Sequence, residues 1–161
     1  MGNAIKTKSA DEALQSLMRL CARAERSSGD ALRLMRRWGV PDSDARRVLD
    51  RLERERFIDD RRYTELYVRE KMRLSGWGAY KIKMSLRQKG VSPQIIAEVA
   101  EPMFSPVDLK ERLVELLTRK LPTIKAKSNY EARAKLIRFG VSRGFDMEMV
   151  VDCATQLISE E

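Results

Sequence analysis

The sequence predicts an all-α fold, and three observations carry that expectation. Apolar residues recur at helical spacing along almost the whole chain, no segment alternates with period two, and helix-start signals precede most of the apolar runs. Ser9 followed by Glu12 opens a first helix, expected over about 10–27, whose stripe is Leu14, Leu17, Met18 and Cys21. A second, over about 29–38, closes near Gly39, and a third, over about 42–56, carries Ala45, Val48, Leu49 and Leu52. Asp60 reads as the N-cap of a fourth helix over about 60–74, which contains Leu66 and Tyr67. Ile82 and Leu86 form the inward face of a fifth, over about 77–89, ending near Gly90. Ser92-Pro93 starts a sixth over about 92–103, and Ser105-Pro106 with Asp108 starts a seventh over about 105–120. Ser128 with Glu131 opens an eighth over about 128–142, and Asp146 caps a ninth over about 146–159.

Nine helices fall into threes. Met35-Arg36-Arg37-Trp38-Gly39-Val40 overlays Leu86-Arg87-Gln88-Lys89-Gly90-Val91, and Gly140-Val141-Ser142-Arg143-Gly144-Phe145 supplies a third copy. The third glycine is Gly144 in one register and Gly140 in another. The expected organisation is a flexible tail at 1–8 and three tandem three-helix repeats, at 9–59, 60–104 and 105–161. A unit of about 50 residues is marginal alone, so three sharing interfaces form an elongated, curved helical array.

Composition excludes much. The chain has 161 residues, 43% hydrophobic and 35% charged, which is enough for a core and too apolar for disorder. It contains no histidine, so the commonest general base and metal ligand, and every Ser-His or Cys-His pair, are missing. Cys21 and Cys153 lie in apolar helical patterns without metal-ligand spacing. No apolar run approaches the ~18 residues that cross a bilayer. The expectation is a soluble, cytoplasmic protein with no membrane association.

With 32 basic against 24 acidic residues the formal net charge is +8, and the surplus is not spread evenly. Residues 18–39 hold six basic and two acidic residues, 69–91 seven and one, 119–143 eight and one, so the rest of the chain is net negative. The same part of each repeat is therefore basic, as expected for a polyanion or acidic-groove binder. The candidate contacts are Arg69, Lys71, Arg73, Lys81, Lys83, Arg87 and Lys89 in the middle window, with Lys135, Arg138 and Arg143 in the third. Tyr80 shares a face with Lys83 and Arg87. Trp77, in Ser75-Gly76-Trp77-Gly78, stands at a helix junction as a core lid or a stacking surface. Arg51, Arg54 and Arg56, interleaved with Asp50, Glu53 and Glu55, read instead as a salt-bridged surface. Nothing here resembles a catalytic constellation: Asp59-Asp60 is a helix start, and Gly76-Trp77-Gly78 is too short to cradle phosphate.

Several separated motifs then fall into a known order. Phe57-Ile58-Asp59-Asp60, Gly78 through Ile82, Leu86 through Val91 and Arg143-Gly144-Phe145 resemble the RecX family of bacterial recombinase regulators. Leu17-Met18-Arg19-Leu20 and Arg26-Ser27 extend the resemblance, which covers about residues 13–158. It implies tandem three-helix units and a non-enzymatic modulator that binds RecA and its nucleoprotein filament. Such a modulator restrains ATPase, strand exchange and SOS co-protease activity, uses no metal or nucleotide cofactor, and also binds single- or double-stranded DNA, directly or within the filament. A monomer is expected. The rival reading is a stand-alone helical DNA-binding module, which the scarcity of Asn, Gln and Ser on the second helices argues against. A scaffold for some other acidic protein is a third.

Overall fold

The computed structural model describes residues 7–159, and among these it contains nine α-helices and no strand. In order they are α1 (Ala10–Arg23), α2 (Ser28–Arg37), α3 (Asp42–Arg54), α4 (Asp60–Arg73), α5 (Ala79–Gln88), α6 (Pro93–Ile95), α7 (Pro106–Lys120), α8 (Asn129–Ser142) and α9 (Met147–Leu157). Two expected spans differ in extent. The first helix stops at Arg23 because the buried Ser27 starts the next one, its hydroxyl accepting from the Asp30 amide at 3.1 Å. The sixth is only one turn of α-helix, continued by a π-turn at Ile96–Ala100 and a 3-10 turn at Glu101–Met103. Pro102 lacks the amide that an α ladder needs there, and the chain rewinds around it.

By packing, the chain forms two compact units, one of residues 1–66 and 86–96 and the other of 67–85 and 97–161. In the first unit α1 and α2 both lie on α3. Ala13, Leu17, Ala31, Met35 and Leu52 are wholly shielded there, joined by Val48 and Ile58. Of the expected tail, residues 1–6 lie outside the described residues. Lys8 is held: its amide donates to the Trp38 carbonyl at 2.9 Å and its ammonium sits 5.0 Å from the Trp38 ring centre.

The start of α4 departs from expectation. Asp59, not Asp60, caps it, accepting from the Arg61 and Arg62 amides at 3.0 and 3.1 Å. Asp60 already belongs to the helix, and its carboxylate reaches across to α2, where the Ser28 amide (2.8 Å) and the Ser28 hydroxyl both donate to it. Two adjacent carboxylates thus serve two helix starts. Arg62 adds an ion pair to Glu25 at 2.8 Å within the same unit.

In the second unit α9 packs against α7 and α8 around Leu113, Leu117, Leu136, Phe145, Val150, Cys153 and Ala154. Gly140 makes the α8–α9 approach possible, since a Cβ there would lie 2.7 Å from Val150 Cγ1. Arg133, on the apolar edge of α8, donates from Nη2 to the Ile158 carbonyl at 3.3 Å, so it closes the end of α9 rather than facing a partner.

One contact recurs in both units. The first turn of a second-position helix presses on a glycine turn until the backbones touch. In the first unit Ser27 donates to the Lys89 carbonyl at 2.6 Å, and a Cβ on Gly29 would lie 2.3 Å from that oxygen and 2.6 Å from Gly90 Cα. In the second, the Gly78 amide donates to the Arg143 carbonyl at 2.7 Å and the Tyr80 amide to the Gly144 carbonyl at 3.1 Å. A Cβ on Gly78 would lie 2.5 Å from that same Gly144 oxygen. The structure also decides the repeat register: Gly39, Gly90 and Gly144 share a positive φ (74°, 82° and 93°), whereas Gly140 is an ordinary helical residue.

These distances separate two costs. Gly39→Ala meets only a flexible Thr7 methyl at 3.4 Å, so it pays the left-handed backbone term alone, about 1–2 kcal/mol. Gly144→Ala adds a Cβ 2.4 Å from Lys81 Cβ and 2.5 Å from the Lys81 amide nitrogen, and should cost at least ~3 kcal/mol. Thermal unfolding of the two variants is expected to show a Tm loss at least twice as large for Gly144→Ala; equal losses would mean that the turn is not tightly seated. The thiols supply a second check. Burial pushes the pKa of both Cys21 and Cys153 above the ordinary range, which reduces thiolate at any given pH. At pH 8 both should react with a thiol reagent at least ~10-fold more slowly in the native protein than in urea.

Candidate polyanion-binding surfaces

The sequence-predicted contact residues divide between the two units. In the second, α4 presents Arg69 and Arg73 at i, i+4, both exposed and neither engaged by another side chain among the described residues. Lys71, between them in sequence, turns the other way. Its ammonium lies 4.8 Å from the Trp77 ring centre and 5.4 Å from that of Tyr67. Lys81, from the first turn of α5, approaches the same indole at 4.7 Å. Trp77 is half-buried and its ring is already shared by two ammonium groups, an arrangement worth roughly 0.5–1 kcal/mol per contact at exposed sites. The structure therefore joins Lys71, Trp77 and Lys81 into one small cluster, in which the tryptophan positions the cations. Trp77 itself is held there by its amide, which donates to the Lys71 carbonyl at 3.0 Å.

Other candidates are less available. Lys83 forms an ion pair with Glu101 at 2.8 Å. Lys135 donates to the Lys125 carbonyl at 2.6 Å and pairs with Glu131 at 3.2 Å. The Lys127 amide and Lys135 together hold the Glu131 carboxyl below its usual range, so that carboxylate is ionised near neutrality. Arg138 is exposed, and Arg143 stacks on Phe139 at 5.0 Å. Lys120 meets the Phe139 ring at 4.9 Å, making it a member of this group that sequence reasoning left out. Tyr80 is 66% exposed beside a pocket of about 460 Å³ lined chiefly by Leu109, Val141, Phe145, Met147 and Met149.

Arg87 and Lys89 belong to the first unit, and Lys89 brings a more concentrated site with it. A pocket of about 480 Å³ is lined by Arg26, Asp30, Arg33, Leu34, Arg36, Arg37 and Lys89. Five cations thus meet one carboxylate. The sequence flagged residues 18–39 as basic but singled out no residue in them. What was hidden is that the Gly29–Gly90 contact carries Lys89 to the α2 arginines. Among the described residues no group of three or more His, Cys, Asp or Glu is placed to hold a metal ion. No helix there is long and apolar enough to cross a membrane.

Comparison with known proteins now adds to this geometry. Residues 59–99 match the family profile described as RecX, second three-helix domain, and residues 108–153 match RecX, third three-helix domain. A regulatory protein RecX from Pseudomonas entomophila is 32% identical over 136 residues, covering 84% of this chain and 85% of that one. One from Chlorobium phaeobacteroides is 29% identical over 146 residues, covering 91% and 93%. The crystal structure of RecX from Lactobacillus salivarius has the same fold, with a TM-score of 0.78 at 20% identity over 92% of this chain and 96% of that chain. Sequence match over most of the length and the same helical fold agree: the chain belongs to the RecX family of regulatory proteins.

Proposed function

We propose that this protein is a non-enzymatic regulator that binds the RecA recombinase and its nucleoprotein filament and restrains ATP hydrolysis, strand exchange and SOS co-protease activity. Family membership supports the regulatory role, and one observation supports the mode of action. Several of the basic residues gathered by the fold are held in place by aromatic rings, as Lys71 and Lys81 are by Trp77 and Arg143 by Phe139, and Arg69, Arg73 and Arg138 are exposed. Preorganised cations on a helical surface steer and register a polyanionic partner without reacting with it. In this reading Arg69, Arg73, Arg138 and Arg143 meet acidic groups of the filament. The Lys71–Trp77–Lys81 cluster and Tyr80 contribute a mixed aromatic and cationic contact, and Lys83, Arg87, Lys89 and Lys135 add to the field. The protein works as a monomer in the cytoplasm, with no cofactor, and three tandem three-helix repeats present these groups in succession.

The test is ATP hydrolysis by the cognate recombinase on single-stranded DNA, titrated with this protein. Inhibition at fewer copies than recombinase monomers is expected; no inhibition, with free DNA still bound, would favour the stand-alone DNA-binding module. Arg69→Glu with Arg73→Glu then probes the surface. Both side chains are exposed and unpartnered, so stability should change by less than about 1 kcal/mol. The concentration for half-inhibition is expected to rise about 10- to 100-fold at ~0.1 M salt, with a smaller wild-type-to-variant gap at ~0.5 M as screening shortens. An unchanged half-inhibition value would remove α4 from the contact.

A further inference from the structure

The pocket on α2 differs in kind from the exposed cations of the second unit. Arg33 is pinned at one end only: its Nη2 donates to Asp30 Oδ1 at 3.1 Å and to the Gln88 carbonyl at 2.7 Å, which uses both hydrogens on that nitrogen. Its Nη1 and Nε donors have no partner among the described residues, on a guanidinium whose orientation is already set. Arg36 and Arg37 are exposed and make no side-chain hydrogen bond or ion pair among the described residues. Arg26 is more telling. Its Nε is shut off from solvent and has no hydrogen-bond partner among the described residues.

We infer that this pocket, built from Arg26, Arg33, Arg36, Arg37 and Lys89, binds the phosphodiester backbone of nucleic acid. Four arginines and a lysine against Asp30 leave a local excess of four positive charges. One carboxylate from a protein partner would neutralise a quarter of it. A nucleic-acid strand carries a charge about every 3.4 Å, so a short run of backbone crossing the mouth meets the cations in succession. Guanidinium forks match phosphate oxygens two at a time, which suits a site whose charge is chiefly arginine. The lining holds no Asn or Gln side chain for adenine readout, and a run of like charges matches the evenly spaced phosphates of the backbone, which an oligothymidine presents without any guanine for the arginines to read. The Gly29–Gly90 approach is what sets Lys89 beside the arginines, so the site exists only in the folded unit.

The inference rests on the reading above to the extent that nucleic acid is a partner, and its test needs no recombinase. The full chain and an Arg36→Gln/Arg37→Gln variant are titrated into a fluorescein-labelled oligothymidine, and anisotropy is followed from ~50 to ~300 mM salt. Loss of two phosphate contacts should lower the slope of log K against log salt by about 1.4 and weaken binding roughly 10- to 30-fold at ~0.1 M. A matched variant outside the pocket, Arg46→Gln/Arg54→Gln, removes the same charge from α3 and should stay within about threefold of wild type. An unchanged slope in the pocket variant would overturn the inference, as would equal losses in both variants, which signal a diffuse field. If the pocket variant binds oligothymidine normally yet fails to restrain the recombinase, the occupant is an acidic protein group and the inference also falls. If wild-type protein leaves the recombinase unaffected while the pocket result stands, the regulatory reading fails and the phosphate site survives.

Discussion

A helix pressed onto a glycine turn is the contact on which the rest of this structure depends. It is made once in each unit, with the same logic and different residues. Ser27, Gly29 and Gly90 build it in the first, and Gly78, Tyr80, Lys81 and Gly144 build it in the second. In each the backbones come within contact distance, and a hydrogen bond crosses the contact, from the Ser27 hydroxyl in the first unit and from the Gly78 and Tyr80 amides in the second. Hydrophobic burial supplies the driving force for the cores around Leu17 and Leu52, and around Leu113 and Leu136. Burial is non-directional, however, and would tolerate many arrangements of short helices. The glycine contacts remove that freedom. They also decide which charges become neighbours, because Lys89 and Arg143 immediately precede the glycines that are pressed.

The cations fall into three physical classes as a result. Lys71 and Lys81 are placed by an indole and Arg143 by a phenyl ring, which fixes position without consuming charge. Lys83 and Lys135 are paired with carboxylates, so much of their field is cancelled. Arg36, Arg37, Arg69 and Arg73 are uncommitted. Counting basic residues along the chain treats all three alike, yet in the second class a carboxylate lies within ion-pair distance of each charge. The division follows from local geometry: an acid one turn away, as for Glu131 and Lys135, captures a lysine that the sequence alone leaves free.

Much of the fold was legible in the sequence because its signals are local. Serine caps at Ser9, Ser92, Ser105 and Ser128, the Asp146 cap and the glycines after α2, α5 and α8 stand where the structure uses them. Misreadings came where a residue answers to something distant. Asp60 looks like a cap until Ser28, thirty-two residues earlier, is seen to claim its carboxylate and leave the task to Asp59. Ser27 looks like part of the first helix until Lys89 is brought against it. The basic character of residues 18–39 was plain, but the pocket was not, since one of its walls comes from Lys89. Charge is a property of sequence, and convergence of charge is a property of tertiary contact.

The paired glycines also constrain how such a protein can diverge. Neither Gly29 nor Gly90 admits a side chain while the other remains in place; a side chain on Gly78 meets the Gly144 carbonyl, and one on Gly144 meets Lys81. Single substitutions at these four positions are therefore dead ends, whatever they would do for a partner. Arg36, Arg37, Arg69 and Arg73 are exposed and make no side-chain hydrogen bond or ion pair among the described residues, so a change at any of them breaks no such bond. Drift is thus channelled away from the joints and onto exposed charge. A lineage can retune its surface field step by step while inheriting an unaltered frame.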